Sequence, residues 1–246
     1  MLSGDGRLAR KLNQFLRLSN SEMSCLADLE LPATEYPRGT QIVRQGDPGK
    51  VGYILQDGWG CCSKILQDGG RQVITFPIPG DVVGLRNVLL RTADHSFTAL
   101  TNVTVSRVEI PRILKVFHEF PHLGSAILWA QSRDEAITVE HLASVGRRTA
   151  IERTAHFFLE LRERLQMVGL ATETEFECPL SQYELADALG LSSIHVNRVL
   201  RELREINLMT FHNRWVVLQD LAAIKIFAGY ESVEEPIVLI RPDTNN

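Results

Sequence analysis

Nowhere in the 246 residues is there an apolar run long enough to cross a membrane as a helix. The first residues, MLSGDGRLARKLNQFLRL, carry basic side chains but no continuous apolar stretch, so no secretory signal is read there. Cysteine is scarce. Cys61 and Cys62 are adjacent, while Cys25 and Cys178 stand far from them. That makes no disulfide framework and fits a reducing cytoplasm. An excess of positive charge is also missing. With a formal net charge of -4, binding to nucleic acid would need a local positive field and specific contacts. There is no phosphate-binding glycine loop and no nucleophile motif, so no catalytic residue is assigned. A cupin-like metal enzyme, the competing reading alongside a small-molecule binding module, needs clustered ligands such as His-x-His with a nearby carboxylate. His95, His118, His122 and His141 are too far apart or lie in helical stretches, and no metal site is assigned.

What is present falls into two characters. Up to about Ile110 the chain reads as β. Gly-Asp, Asp-Gly and Gly-Gly pairs recur between short β-branched runs, as in QIVRQGDPGKVGYILQDGWGCCSKILQDGGRQVITFPIPGDVVG. Such pairs supply the positive φ that tight turns need, and the runs between them are strands of a sandwich or jelly roll. NVTVSRVEI alternates well enough to close this region as a half-buried strand. Adjacent Cys61 and Cys62 then face opposite sides of a strand.

After Pro111 good helix formers take over. Pro121 starts a fresh helix, with Leu123, Ile127, Ala130, Ile137, Leu142 and Val145 as an imperfect apolar stripe among Arg133, Asp134, Glu135 and Glu140. The stripe must be covered, either by its own domain or by a second copy of the chain. Gly146 reads as the break and the domain boundary. A further helix follows, with Ile151, Ala155, Phe158 and Leu161 or Leu165 at helical spacing. ATETEFECPL is a polar connector with room for one short strand.

The informative stretch begins at Ser181. SQYE is a capping box, in which Ser181 accepts from a backbone N–H three residues on and Glu184 reaches back. Leu185, Ala186 and Leu189 form one apolar face, and Gly190 ends the helix. Ser192 caps a second helix, with Val196, Val199, Leu200 and Leu203 on one side. Ser193, Asn197, Arg201 and Arg204 fall opposite, with Arg198 beside them. That is the layout of a helix-turn-helix, whose second helix enters the DNA major groove. Arg198 suits a guanine edge and Asn197 an adenine edge. Ser192, Ser193, His195 and Arg201 suit phosphates or a nearby base. NLMTFHNRWVVL then reads as two strands around His212-Asn213-Arg214, a wing whose Arg214 can touch phosphate.

Over nearly its whole length the chain resembles the Crp/Fnr family of bacterial transcription regulators. PGDVVG and LSQYELADALGLSSIHVNRVLRELREINLM carry the resemblance. It implies an α+β protein with an N-terminal jelly-roll-like β-roll sensor domain over residues 1–120, a dimerisation helix over 121–146 and a C-terminal winged helix-turn-helix over 147–246. By position, Ser193, Ile194, Asn197 and Arg198 stand where the family reads bases. Family members often carry glutamate where Ile194 stands; an isoleucine offers only apolar contact, as to a thymine methyl. The partners implied are palindromic double-stranded DNA, a second copy of the chain and RNA polymerase.

The sensor stretch, GLRNVLLRTADHSF, departs from the members that bind cyclic AMP. Those carry Gly-Glu-Leu and then Arg-Ser. Here the effector positions are Gly84, Leu85, Arg86, His95 and Ser96. Leucine cannot accept from a ribose hydroxyl, and a neutral histidine is a poor anion clamp. Arg86 stands one residue out of place. No tight cyclic-nucleotide binding is expected. Neither an iron–sulfur cluster nor haem is expected: only Cys25 lies near the N-terminus, and Cys61, Cys62, His95, His118 and His122 are scattered. Cys178 reads as an inert thiol.

Overall fold

The computed structural model describes residues 6–49, 51–86 and 92–232. Its N-terminal part is built on two antiparallel four-stranded sheets. One sheet runs β1 (Ala33–Tyr36), β8 (Val103–Glu109), β3 (Val51–Asp57), β6 (Val82–Val83); the other runs β2 (Gln41–Val43), β7 (Ser96–Ala99), β4 (Gly60–Ile65), β5 (Arg71–Thr75). Leu55, Cys62, Val83, Phe97, Ala99, Val103 and Val105 fill the space between them. Two glycines hold the β3–β4 turn. Gly58 adopts φ 81°, and at Gly60 a Cβ would come within 2.3 Å of the Phe97 ring. Cys61 and Cys62 do face opposite ways, but both are buried: Cys62 points between the sheets and Cys61 joins the core of the C-terminal part.

The all-β expectation for the start of the chain is corrected. Helices α1 (Arg7–Asn13) and α2 (Asn20–Leu29) precede the first strand. Ser19 accepts from the Glu22 N–H and Glu22 returns the bond, a capping box that starts α2. Leu8, Leu12, Leu26 and Leu29 pack with Ile113, Val116, Leu123, Ala126 and Ala130 into a second cluster. Those last residues lie on α3 (Ile110–Glu119) and α4 (Pro121–Arg147).

Pro121 does open α4, but the apolar stripe read from the sequence divides. Leu123, Ala130 and Ile137 are buried against the rest of the chain, whereas Leu142 is 73% exposed with Leu128 and Val139 beside it on the opposite face. Gly146 does not break the helix. α4 runs through it to Arg147, and Arg148 turns extended at ψ 150°. One exposed glycine costs about 1 kcal/mol, which a long helix absorbs. The stop comes from Thr149, whose capping box with Glu152 starts α5 (Ala150–Met167).

From α5 onward lie β9 (Glu175–Glu177), α6 (Gln182–Leu189), α7 (Ser193–Glu205), the hairpin β10 (Met209–His212) and β11 (Trp215–Leu218), and α8 (Leu221–Ala228). Their core is continuous with the roll. Trp59, Cys61, Val73, Phe76 and Ile78 share one cluster with Phe157, Phe158, Leu161, Leu185, Val196 and Val216. Phe76 meets Phe157 edge to face, with ring centroids 6.0 Å apart. No helix among the described residues is long and apolar enough to cross a membrane.

Candidate nucleic-acid interface

α6 begins at Ser181, whose hydroxyl accepts from the Glu184 N–H at 3.3 Å. It ends at Gly190, left-handed at φ 63°, and the Leu191 N–H donates to the Ala186 carbonyl at 3.0 Å. That bond closes the turn that a residue free to take positive φ permits. Ser192 caps α7 through the His195 N–H at 3.2 Å. Val196, Val199 and Leu203 seat α7 on the core, and Ala186 gives α6 its close approach.

The other face of α7 looks outward. Asn197, Arg198, Arg201 and Arg204 are exposed, and Ile194 is 83% exposed at its first turn. Among the described residues, no carboxylate pairs with Arg198 or Arg201. Ser193 and His195 are half-buried at the margin rather than fully outward. Ile194 packs against little among the described residues. It is an apolar contact held out to whatever the helix meets.

Beside α7 the hairpin turn is tighter than read. His212 pairs with Trp215, leaving Asn213 and Arg214 as a two-residue loop with φ 50° and 65°. Two successive positive φ values mark a type I′ turn. β9 adds a third strand on the far side of β11. The Arg214 guanidinium is offered to solvent but is shared with Glu177. Tyr183, 73% exposed on α6, and Trp215 on β11 also stand out from the surface. Sequence reading missed both, since an isolated exposed aromatic carries no periodic signal.

The sensor positions are only partly brought together. Gly84 takes φ 75° after β6, and Leu85 turns into the apolar cluster of α1, α3 and α4. Arg86 reaches Asp94 Oδ2 at 2.8 Å and lies 3.1 Å from His95 Nδ1. With its proton on Nδ1, His95 donates to Asp94 Oδ1 at 2.7 Å. Burial lowers the His95 pKa despite that carboxylate. The Ser96 hydroxyl accepts from the Gln45 N–H and from Gln41 Nε2. Asp94, Gln41 and Gln45 were not foreseen. Among the described residues there is no group of three or more His, Cys, Asp or Glu able to hold a metal ion. Cys178 is fully buried, and burial pushes its thiol up to about 12, far from a reactive thiolate.

A β-roll carrying a helix-turn-helix with an adjoining β-hairpin defines a DNA-binding transcriptional regulator. Comparison with known proteins agrees. Residues 33–120 match the cyclic nucleotide-binding domain family, and residues 152–226 match the Crp-like helix-turn-helix domain family. The nitrogen fixation regulation protein FixK of Bradyrhizobium diazoefficiens is 30% identical over 196 residues, covering 79% of this chain and 81% of the relative. The transcriptional regulatory protein btr of Bordetella pertussis is 29% identical over 214 residues, 86% of this chain and 87% of the relative. The solved structure of FixK2 from Bradyrhizobium japonicum superimposes with a TM-score of 0.72 at 25% identity, covering 81% of this chain and 98% of that one. The chain belongs to the Crp/Fnr family of transcriptional regulators.

Proposed function

We propose that the chain acts as a homodimer that reads a palindromic DNA site. One α7 from each copy would enter successive major grooves, about 34 Å apart. The observation that carries this reading is the outward face of α7, whose Arg198 and Arg201 meet no carboxylate among the described residues. Arg198 is suited to a guanine edge and Asn197 to an adenine edge. Ile194 meets a thymine methyl, so the half-site differs from one read by glutamate at that place. Ser192, Ser193, His195 and Arg201 take phosphates or a neighbouring base, and Arg214 takes phosphate from the wing. The dimer rests on α4, whose Leu128, Val139 and Leu142 lie on one exposed stripe opposite its buried face.

The sensor domain, on this reading, is not tuned to a cyclic nucleotide. Leu85 is spent in the apolar cluster. Asp94 already meets the Arg86 cation, and His95 is buried with a lowered pKa. The residues present do not fit that ligand. No haem or iron–sulfur cluster enters the reading, nor does any enzymatic step. RNA polymerase is the protein partner, in the cytoplasm. Selection of DNA from a random pool by the purified, ligand-free protein tests the proposal. Enrichment of a palindrome is the expected result; enrichment of a single unrepeated motif, or of none, would count against it.

A further inference from the structure

Between the roll, α1, α4 and α5 lies a cluster of buried charges that DNA reading does not use. Arg164 on α5 donates to Asp81 Oδ2 at 2.8 Å, to the Phe76 carbonyl at 2.9 Å and to Glu160 Oε1 at 3.4 Å. Lys11 on α1 donates to the other Asp81 oxygen at 2.9 Å and to Asp134 on α4 at 3.3 Å. Asp81 Oδ2 also accepts from the Ile78 N–H. One carboxylate therefore holds the sensor turn, the N-terminal helix and the first helix of the C-terminal domain. Through Lys11 it is tied to the helix that carries the exposed apolar stripe. A second tie runs parallel: Arg133 on α4 donates to Glu163 on α5 at 2.5 Å, and Glu163 also accepts from Tyr230 and Ser232.

Buried ion pairs add little net stability, because desolvation offsets most of their attraction. Replacing whole pairs by apolar side chains of similar volume often leaves stability unchanged, so stability alone does not account for them. What directed hydrogen bonds add is a fixed relative position. Burial opposes ionisation of Asp81, yet Lys11 and Arg164 hold its pKa down at about 2, so the carboxylate stays charged over the whole working range. The apolar contact of Phe76 with Phe157 tolerates sliding; three acceptors around one guanidinium do not.

We propose that Asp81 and Arg164 are positioning residues that fix where α7 stands relative to the dimer helix, and so set the half-site spacing the protein accepts. The inference rests on the dimeric reading above.

The test compares wild type, Arg164→Met and Arg164→Lys on palindromes whose half-site spacing is varied one base pair at a time, and on a single half-site. Wild type should show a sharp spacing optimum. R164M should lose at least tenfold at that optimum and bind neighbouring spacings almost equally well, with half-site affinity changed less than twofold. R164K should recover most of the optimum. If R164M keeps the sharp optimum, or if half-site and palindrome fall together, the clamp is overturned. Should circular dichroism show R164M unfolded, Asp81→Asn, which preserves shape, is held to the same criteria. A wild type with no palindromic preference would overturn the dimeric reading and the clamp with it, whereas an optimum retained by R164M overturns the clamp alone.

Discussion

The Arg214 guanidinium lies 3.3 Å from Glu177 Oε1, linking the tip of the hairpin to β9. Both side chains are more than half exposed, at 59% and 58%. Exposed pairs of this kind contribute about 0–1 kcal/mol, so a DNA phosphate can displace Glu177 from Arg214. Arg214→Asn tolerates the positive φ of the turn. It should weaken all DNA sequences alike and flatten the salt dependence by about one unit of slope. Glu177→Gln should act in the opposite direction, with modestly tighter and still unselective binding. Titration of specific and scrambled duplexes at several salt concentrations measures both. A loss confined to one sequence would contradict a phosphate contact.

Arg198 is a different kind of cation. It sits on the outward face of α7, and no carboxylate among the described residues competes for it. Arg198→Ala should lower specific binding by about 1–3 kcal/mol and relax preference at one base pair. Ile194→Glu should move preference toward cytosine, because a carboxylate accepts from the exocyclic amine that isoleucine cannot engage. Competition among single-position variants of the selected site reads both. Unchanged selectivity in either variant would remove that residue from the reading face.

Much of this domain was legible because its signals are local. Ser181 with Glu184, Gly190 and Ser192 act within one turn of themselves, and short-range spacing carries them. The same logic was available at Ser19 and Glu22, but surrounding turn residues and the β pattern further on obscured two short helices. Other features were not legible in principle. The imperfect stripe of α4 serves two surfaces, and only the packed fold separates Ile137 from Leu142. Asp81 meets Lys11 and Arg164 across 70 and 83 residues of chain. No periodicity encodes such a meeting: Asp81 was legible only as part of PGDVVG, and Lys11 and Arg164 had no role. Arg86 was noted as displaced, but its pairing with Asp94 is a meeting that the sequence pattern does not encode.

Cyclic AMP at millimolar concentration should leave the melting temperature unchanged. A ligand at a hundred times its Kd would stabilise the fold by about 2.7 kcal/mol, several degrees for a chain of this size. Differential scanning fluorimetry resolves that easily. A clear rise would mean that Arg86, His95 and Ser96 form a working anion site after all. Asp94 would then have to yield to the ligand.

Acid should loosen the joint between α4 and α5. His156 is buried under the Tyr230 ring, with centroids 4.9 Å apart, and its Nε2 lies 3.7 Å from Glu140. Burial, aided by Arg148 and His141, lowers its pKa from 6.5 to about 4 against the pull of Glu140. A histidine whose folded pKa is depressed binds its proton more readily when unfolded, so stability falls as pH drops from about 6.5 toward 4. His156→Gln should flatten the melting temperature between pH 6.5 and 4.5 relative to wild type. Parallel acid limbs for the two proteins would show that His156 does not govern that window.

Leu142 tests the dimer without touching the fold. It is 73% exposed on the opposite face of α4 from Ile137, so an aspartate there disturbs little within one copy. The folding stability of the single chain should stay within about 0.5 kcal/mol. A charge buried against its symmetry mate would have no partner, and like charges on the two copies would repel. Leu142→Asp should therefore sediment as a monomer where wild type sediments as a dimer. It should lose about a hundredfold or more on the palindrome, the advantage of linked binding, while single half-site affinity is retained. Salt should not rescue it, because desolvation rather than long-range repulsion is the larger cost. A variant that remains dimeric at micromolar concentration would move the interface off the exposed face of α4, and the palindromic geometry built on that helix would have to be redrawn.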